Sequence, residues 1–273
     1  MKKFLTLVLG VFLLIGCSGN ESVSKEEVMK AYVASSNKLA ESNVFEIKMD
    51  GSLDVPKSSL IPEEMKATLT ASGLVDVKTP LMSLEMNIKD EKGTMNEDMK
   101  MYLDQNYMYM FAENAWTKQA LDSSMKESII ASNSEAKALT VEDAQAQFDE
   151  FKDVKYSKAT KDGVAGYTIK AKMDLEQLMN LVNKESDKNA DLKAQLEQVK
   201  GLMQKMDLSY EVFVPEDVNE AMVHSITMNM EIMSAPINIG PLNITIQPSN
   251  EKITIPEEAK KAKESSAALP TGF

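Results

Sequence analysis

The chain has 273 residues, with 30 basic residues against 42 acidic ones, a formal net charge of −12, one cysteine and one histidine. A single cysteine excludes an intrachain disulfide and any cysteine-built metal centre, so burial alone must hold the fold together. Every basic residue is lysine, and an acidic chain without arginine's bidentate fork is poorly suited to nucleic acid or to anionic lipid headgroups.

Taken in chain order, Lys2 and Lys3 precede an apolar run from Phe4 to Gly16, interrupted only by Thr6, which ends in Leu14-Ile15-Gly16-Cys17. A basic start, about a dozen apolar residues and a small residue at the cut form the pattern of an export signal. The ending resembles a bacterial lipobox. That resemblance implies a signal peptide over 1–16, a diacylglyceryl group on Cys17, a tether over 17–23 and a place on the extracytoplasmic face of the cell membrane. The competing reading is a membrane-spanning helix, for which the run is shorter than the ~20 residues required. All-lysine usage fits an AT-rich, Gram-positive source.

Ser24-Lys25-Glu26-Glu27 reads as a capping box opening a helix over about 24–42, with Val28, Tyr32 and Leu39 at helical spacing. From Val44 the period changes to two. Phe45, Ile47, Met49, Leu53 and Val55 alternate with polar residues, as in a strand with one wet face. The same alternation recurs in Met65 to Val77, in Met82 to Ile88 and in Met99 to Leu103. Tyr107 to Phe111 is apolar on both parities, which predicts a strand covered on both sides, and Trp116 follows a short turn. Short turns between alternating strands indicate an antiparallel meander.

Helices are predicted over 122–131 and after the cap at Thr140, where Val141, Ala144, Phe148 and Phe151 share a face. Two strands, Val154 to Ala159 and Tyr167 to Ala171, flank the turn at Lys161-Asp162-Gly163. A cap at Asp174-Leu175-Glu176-Gln177 opens another helix, and Leu192, Leu196, Val199 and Met203 predict one more over about 189–205. Strands return in Met206 to Val214, Met222 to Ile232, Leu242 to Ile246 and Ile253 to Ile255. The expected fold is therefore α+β: one domain over 24–262, a curved, mostly antiparallel sheet (a half-barrel meander) with helices on its concave face, and a loose tail over 263–273.

The lipobox, the capped first helix and the segments FEIKMDGSLDV, GYTIKAKMDLEQLMNLV and NITIQPSNEKITIPEEAKKA together resemble an uncharacterised group of Firmicute lipoproteins. Their architecture is similar to the LppX/LprG and LolA/LolB lipoprotein-carrier superfamily. The resemblance implies a curved sheet closed by helices around an apolar cavity for acyl chains. Carriers of the LolA type often hold the cargo's head with arginine, which this chain lacks.

Twenty methionines are far above ordinary usage, and methionine adapts to varied apolar partners. Met49, Met82, Met86, Met99, Met101, Tyr107, Tyr109, Phe111, Met228 and Met230 form the candidate ligand-binding stripe; the competing reading is a filled core. His224 falls on the apolar parity of its strand, as a contact for a polar head or as a satisfied strand-end histidine. The acidic pairs lack a calcium-loop pattern, no nucleophile turn or phosphate-binding glycine loop is present, and no cofactor or enzymatic activity is expected. The sequence supports a membrane-anchored, non-catalytic protein that binds a lipid-like ligand. The alternative is an envelope scaffold that binds another protein.

Overall fold

A computed structural model describes residues 23–58, 63–76, 78–79, 81–93, 96–121, 138–186 and 203–264, with side chains absent from the description over 181–186. The signal peptide, Cys17, Val77, the helix over 122–131, most of the helix over 189–205 and residues 265–273 lie outside these residues.

Helix α1 (Lys25–Glu41) leads into strands β1 (Val44–Val55), β2 (Met65–Asp76), β3 (Leu81–Asp90), β4 (Asn96–Leu103), β5 (Tyr107–Ala112) and β6 (Ala115–Ala120). Helix α2 (Val141–Asp149), strands β7 (Lys152–Lys161) and β8 (Val164–Asp174) and helix α3 (Leu175–Ser186) follow. Strands β9 (Met203–Pro215), β10 (Met222–Ile232) and β11 (Ala235–Ser249), a short helix α4 (Glu257–Lys260) and strand β12 (Lys263–Glu264) complete the described chain. All twelve strands form one open, curved sheet in the order β12-β6-β5-β4-β3-β2-β1-β11-β10-β9-β8-β7. Every pairing is antiparallel except β12 with β6, so the protein is α+β with a sheet that does not close on itself.

Local chemistry explains the element boundaries. The Ser24 hydroxyl accepts from the Glu27 amide at 3.2 Å, which satisfies one first-turn donor of α1. Glu27 does not complete the expected box; its carboxylate accepts from the Tyr167 hydroxyl of β8. At α2 the box is complete, since the Thr140 hydroxyl accepts from the Asp143 amide and Asp143 accepts from the Thr140 amide. Asp174 and Gln177 exchange the equivalent pair of bonds at the start of α3.

Three hairpins use two-residue turns with positive φ at both central residues: Glu113-Asn114, Asp162-Gly163 and Met233-Ser234. Such turns match the right-handed twist of paired strands. In β11, Gly240 at φ +104° marks a shift of register toward both neighbours, between Asp50 and Leu53 of β1 and between Ile226 and Met228 of β10.

Two expected elements take other forms. The strand expected at Ile253 to Ile255 is absent, because β11 spans Ala235 to Ser249 and fills that place beside β1. Ile255 is instead buried against the sheet with Tyr102, Tyr109 and Ala259. The end of the helix expected over 189–205 is strand: Met203 and Lys205 pair with Ile232 and Glu231 of β10.

The sheet is covered at opposite ends of its two faces. On one face α1 and α2 cover β7 to β10, and Val28, Met29, Ala144 and Phe148 meet Tyr167, Ile169, Val212, Val214 and Met222. On the other, the segment around α4 covers β3 to β6, where Trp116, Tyr107 and Leu81 border the buried Tyr102 and Tyr109. Tyr109 donates to Asp104 at 2.8 Å, and burial together with that carboxylate pushes its phenol up to about 12.

Candidate functional site

Because successive side chains on a strand point to opposite faces, strand register decides which residues share a surface. One transverse row runs from Tyr156 through Ile169, Val212 and His224 to Ile244. It continues through Met49 and Ala71 to Met86 and Met99. The row crosses nine strands on a single face, and every member except His224 is apolar or aromatic.

Cover along this row is uneven. Under α1 and α2, Ile169 and Val212 are fully buried, whereas Met49, Met86 and Met99 are half-buried. The core beneath α1 and α2 takes side chains from β7 to β10 and, among the described residues, none from β1 to β5. The half outside that core, where Ala67 and Ala71 are buried beside half-buried methionines, is rich in methionine. Met86 lies directly opposite Met99, Met101 opposite Met110, and Leu103 opposite both Met82 and Met108. Unbranched, polarizable side chains on a half-buried surface can repack around an apolar ligand of variable shape.

The structure parts the ten residues of the candidate stripe. Met49, Met82, Met86, Met99, Met101, Met228 and Met230 share this face by register. Tyr107, Tyr109 and Phe111 lie on the opposite face, where Phe111 and Tyr102 meet Trp116. Met108 and Met110 occupy the methionine face in their place; both parities of this strand are apolar, so only the observed pairing of Met110 with Met101 assigns them.

Among the described residues, His224 stands at the border of the core that α1 and α2 cover. Its Nδ1 lies 2.6 Å from the Tyr210 hydroxyl, and the Tyr210 ring stacks against Phe148 and Phe151 at 6.3 and 5.8 Å. Burial pushes the imidazole below its usual value and the phenol above its own, so both groups are neutral near pH 7.

The polar face carries two open hollows. One of about 250 Å3 is lined by Lys155, Lys170, Lys172 and Glu211, and one of about 530 Å3 by Glu85, Asn87, Asp98 and Lys100. Ion pairs Lys170–Glu211 and Lys100–Glu85, each at 2.9 Å, run through them. Among the described residues no group of histidine, cysteine or acidic side chains could hold a metal ion, and no helix is long and apolar enough to cross a membrane.

No curated protein matches the chain by sequence. Among solved structures, it is similar to LprF from Mycobacterium bovis at 13% identity, covering 85% of this chain and 97% of that one, with a TM-score of 0.34. The ywiB protein from Bacillus subtilis matches at 9% identity over 76% and 94% of the two chains, with a TM-score of 0.19. A DUF1329 family protein from Desulfovibrio piger matches at 8% over 83% and 95%, with a TM-score of 0.24. The model of one sequence family, DUF6612, matches residues 24–264, which takes in α1 through β12, and the chain therefore belongs to this family of unknown function.

Proposed function

We propose that this protein is a lipid-anchored envelope protein whose sheet holds a hydrophobic, lipid-like ligand by burial, without catalysis. One observation carries the reading: the apolar row continues past the helix-covered core into the half-buried methionines Met49, Met86 and Met99. Apolar surface removed from water is worth roughly 25 cal/mol per Å2, so an acyl chain laid along this row gains affinity without any polar group. The anchor rests on Cys17. The tether from Cys17 to Val23 is seven residues, which fully extended reaches at most ~25 Å, and it keeps α1 near the extracytoplasmic surface of the cell membrane.

Displacement of an environment-sensitive apolar dye by acyl lipids tests the ligand. Binding is expected in the unaltered protein and loss of binding in Met86→Glu, with the fold retained. Dye binding that no acyl lipid displaces, or that Met86→Glu leaves intact, contradicts the reading. For the anchor, Cys17→Ser is expected to release the protein from the membrane fraction; full retention there overturns it.

A further inference from the structure

Along a row that is otherwise apolar or aromatic, one ring nitrogen is left over. His224 is flanked in register by Val212 and Ile244, with Met49 next along the row. Its one hydrogen-bond contact among the described residues is Nδ1 to the Tyr210 hydroxyl at 2.6 Å. We assign the phenol as the donor. If Nδ1–H donated instead, the phenolic hydrogen would be left without a partner beside the rings of Phe148 and Phe151. A neutral imidazole carries one N–H, so with Nδ1 accepting, the proton resides on Nε2. Nε2 has no partner among the described residues, and it is not among the sealed, unsatisfied atoms of the interior. A donor whose ring is fixed by Tyr210, at the border between the covered core and the methionine-rich half, is placed to receive a ligand atom.

We propose that His224 is the polar contact of the ligand site: its Nε2–H donates a hydrogen bond to an oxygen acceptor, an ester carbonyl or a carboxylate, at the head of an alkyl-chain ligand. The alkyl chain lies toward Met49, Met86 and Met99, outside the core that the described helices α1 and α2 cover. This rests on the apolar-ligand reading above and adds the head group to it. A pocket that hydrogen-bonds one atom of its ligand discriminates against analogues lacking that atom, because the donor is then left unpaired.

The chain has a single histidine, so [15N]histidine labelling of the mature lipoprotein, exchanged from detergent into amphipol, reports one ring without ambiguity. The probes are dodecanoate, methyl dodecanoate and dodecane. The expected result is a ring protonated at Nε2, whose Nε2–H resonance moves with the acid, the ester or both, while dodecane binds and leaves it in place. Response to the acid alone marks a carboxylate head, and response to the ester marks a carbonyl. His224→Phe is expected to weaken the responding probe about five- to tenfold and spare dodecane. His224→Gln, which keeps an N–H near the same position, is expected to retain most of the affinity. Binding of all three probes with an unmoved imidazole resonance overturns this inference and leaves the apolar-ligand reading standing. No binding of any probe overturns both.

Discussion

Tyr167 donates its phenolic hydrogen to the Glu27 carboxylate at 2.9 Å, joining the first turn of α1 to β8 across 140 positions of chain. The bond fixes where α1 lies, because the same turn places Val28 and Met29 into the buried core. Removing the hydroxyl in Tyr167→Phe leaves a solvated carboxylate and costs about 1–2 kcal/mol. A lower urea midpoint with an unchanged slope is the expected result.

The same phenol sets a limit in base. Burial first, and then the Glu27 carboxylate, push Tyr167 from the ordinary 10.0 up to about 12. The folded protein therefore keeps this proton over a range in which the unfolded chain has lost it. That contribution to stability is complete below pH 10 and is lost as pH rises toward 12. Thermal melting followed from pH 9 to 12 is expected to show a steeper decline in the parent than in Tyr167→Phe.

The two halves of the apolar face should respond differently to truncation. Phe148 is 3% exposed, meets Tyr32 edge-on and stacks on Tyr210, so Phe148→Ala costs about 3–5 kcal/mol. Met99 is half-buried and outside that core, so Met99→Ala costs less than about 2 kcal/mol and instead weakens acyl-ligand binding. Denaturation curves and ligand titrations on both variants separate the two effects.

In the β10–β11 hairpin, Met233 and Ser234 sit at φ 52° and 66°, a region that favours Asn and Gly. Met233 is also 51% exposed, so little packing is lost by replacing it. Met233→Asn with Ser234→Gly is expected to raise stability by about 0.5–1 kcal/mol, read as a higher urea midpoint.

Much of the sheet was legible because its strands have one wet face, so Phe45 to Val55 or Met206 to Val214 announces both the strand and its inner side. Where both parities are apolar the pattern is silent. Tyr107, Met108, Tyr109, Met110 and Phe111 fit either face, and only the pairing of Met101 with Met110 puts the methionines on the face of Met86 and Met99 and the aromatics on the face of α4. In β11, Pro236, Gly240 and Pro241 disguised the first half of a long strand, while Ile253 and Ile255 alternate without joining the sheet. His224 was readable as a lone polar residue on an apolar parity. Its partner Tyr210 was not, because that contact runs diagonally between strands.

The most direct test of the central claim is native mass spectrometry of the chain from Ser18 onward, secreted without its anchoring cysteine and purified without detergent. A series of adducts at acyl-lipid masses, removed by solvent extraction and diminished in Met86→Glu, is the expected result. A single ligand-free mass that stays unchanged when lipid is added would contradict the claim, and would turn attention to a protein partner for the methionine face.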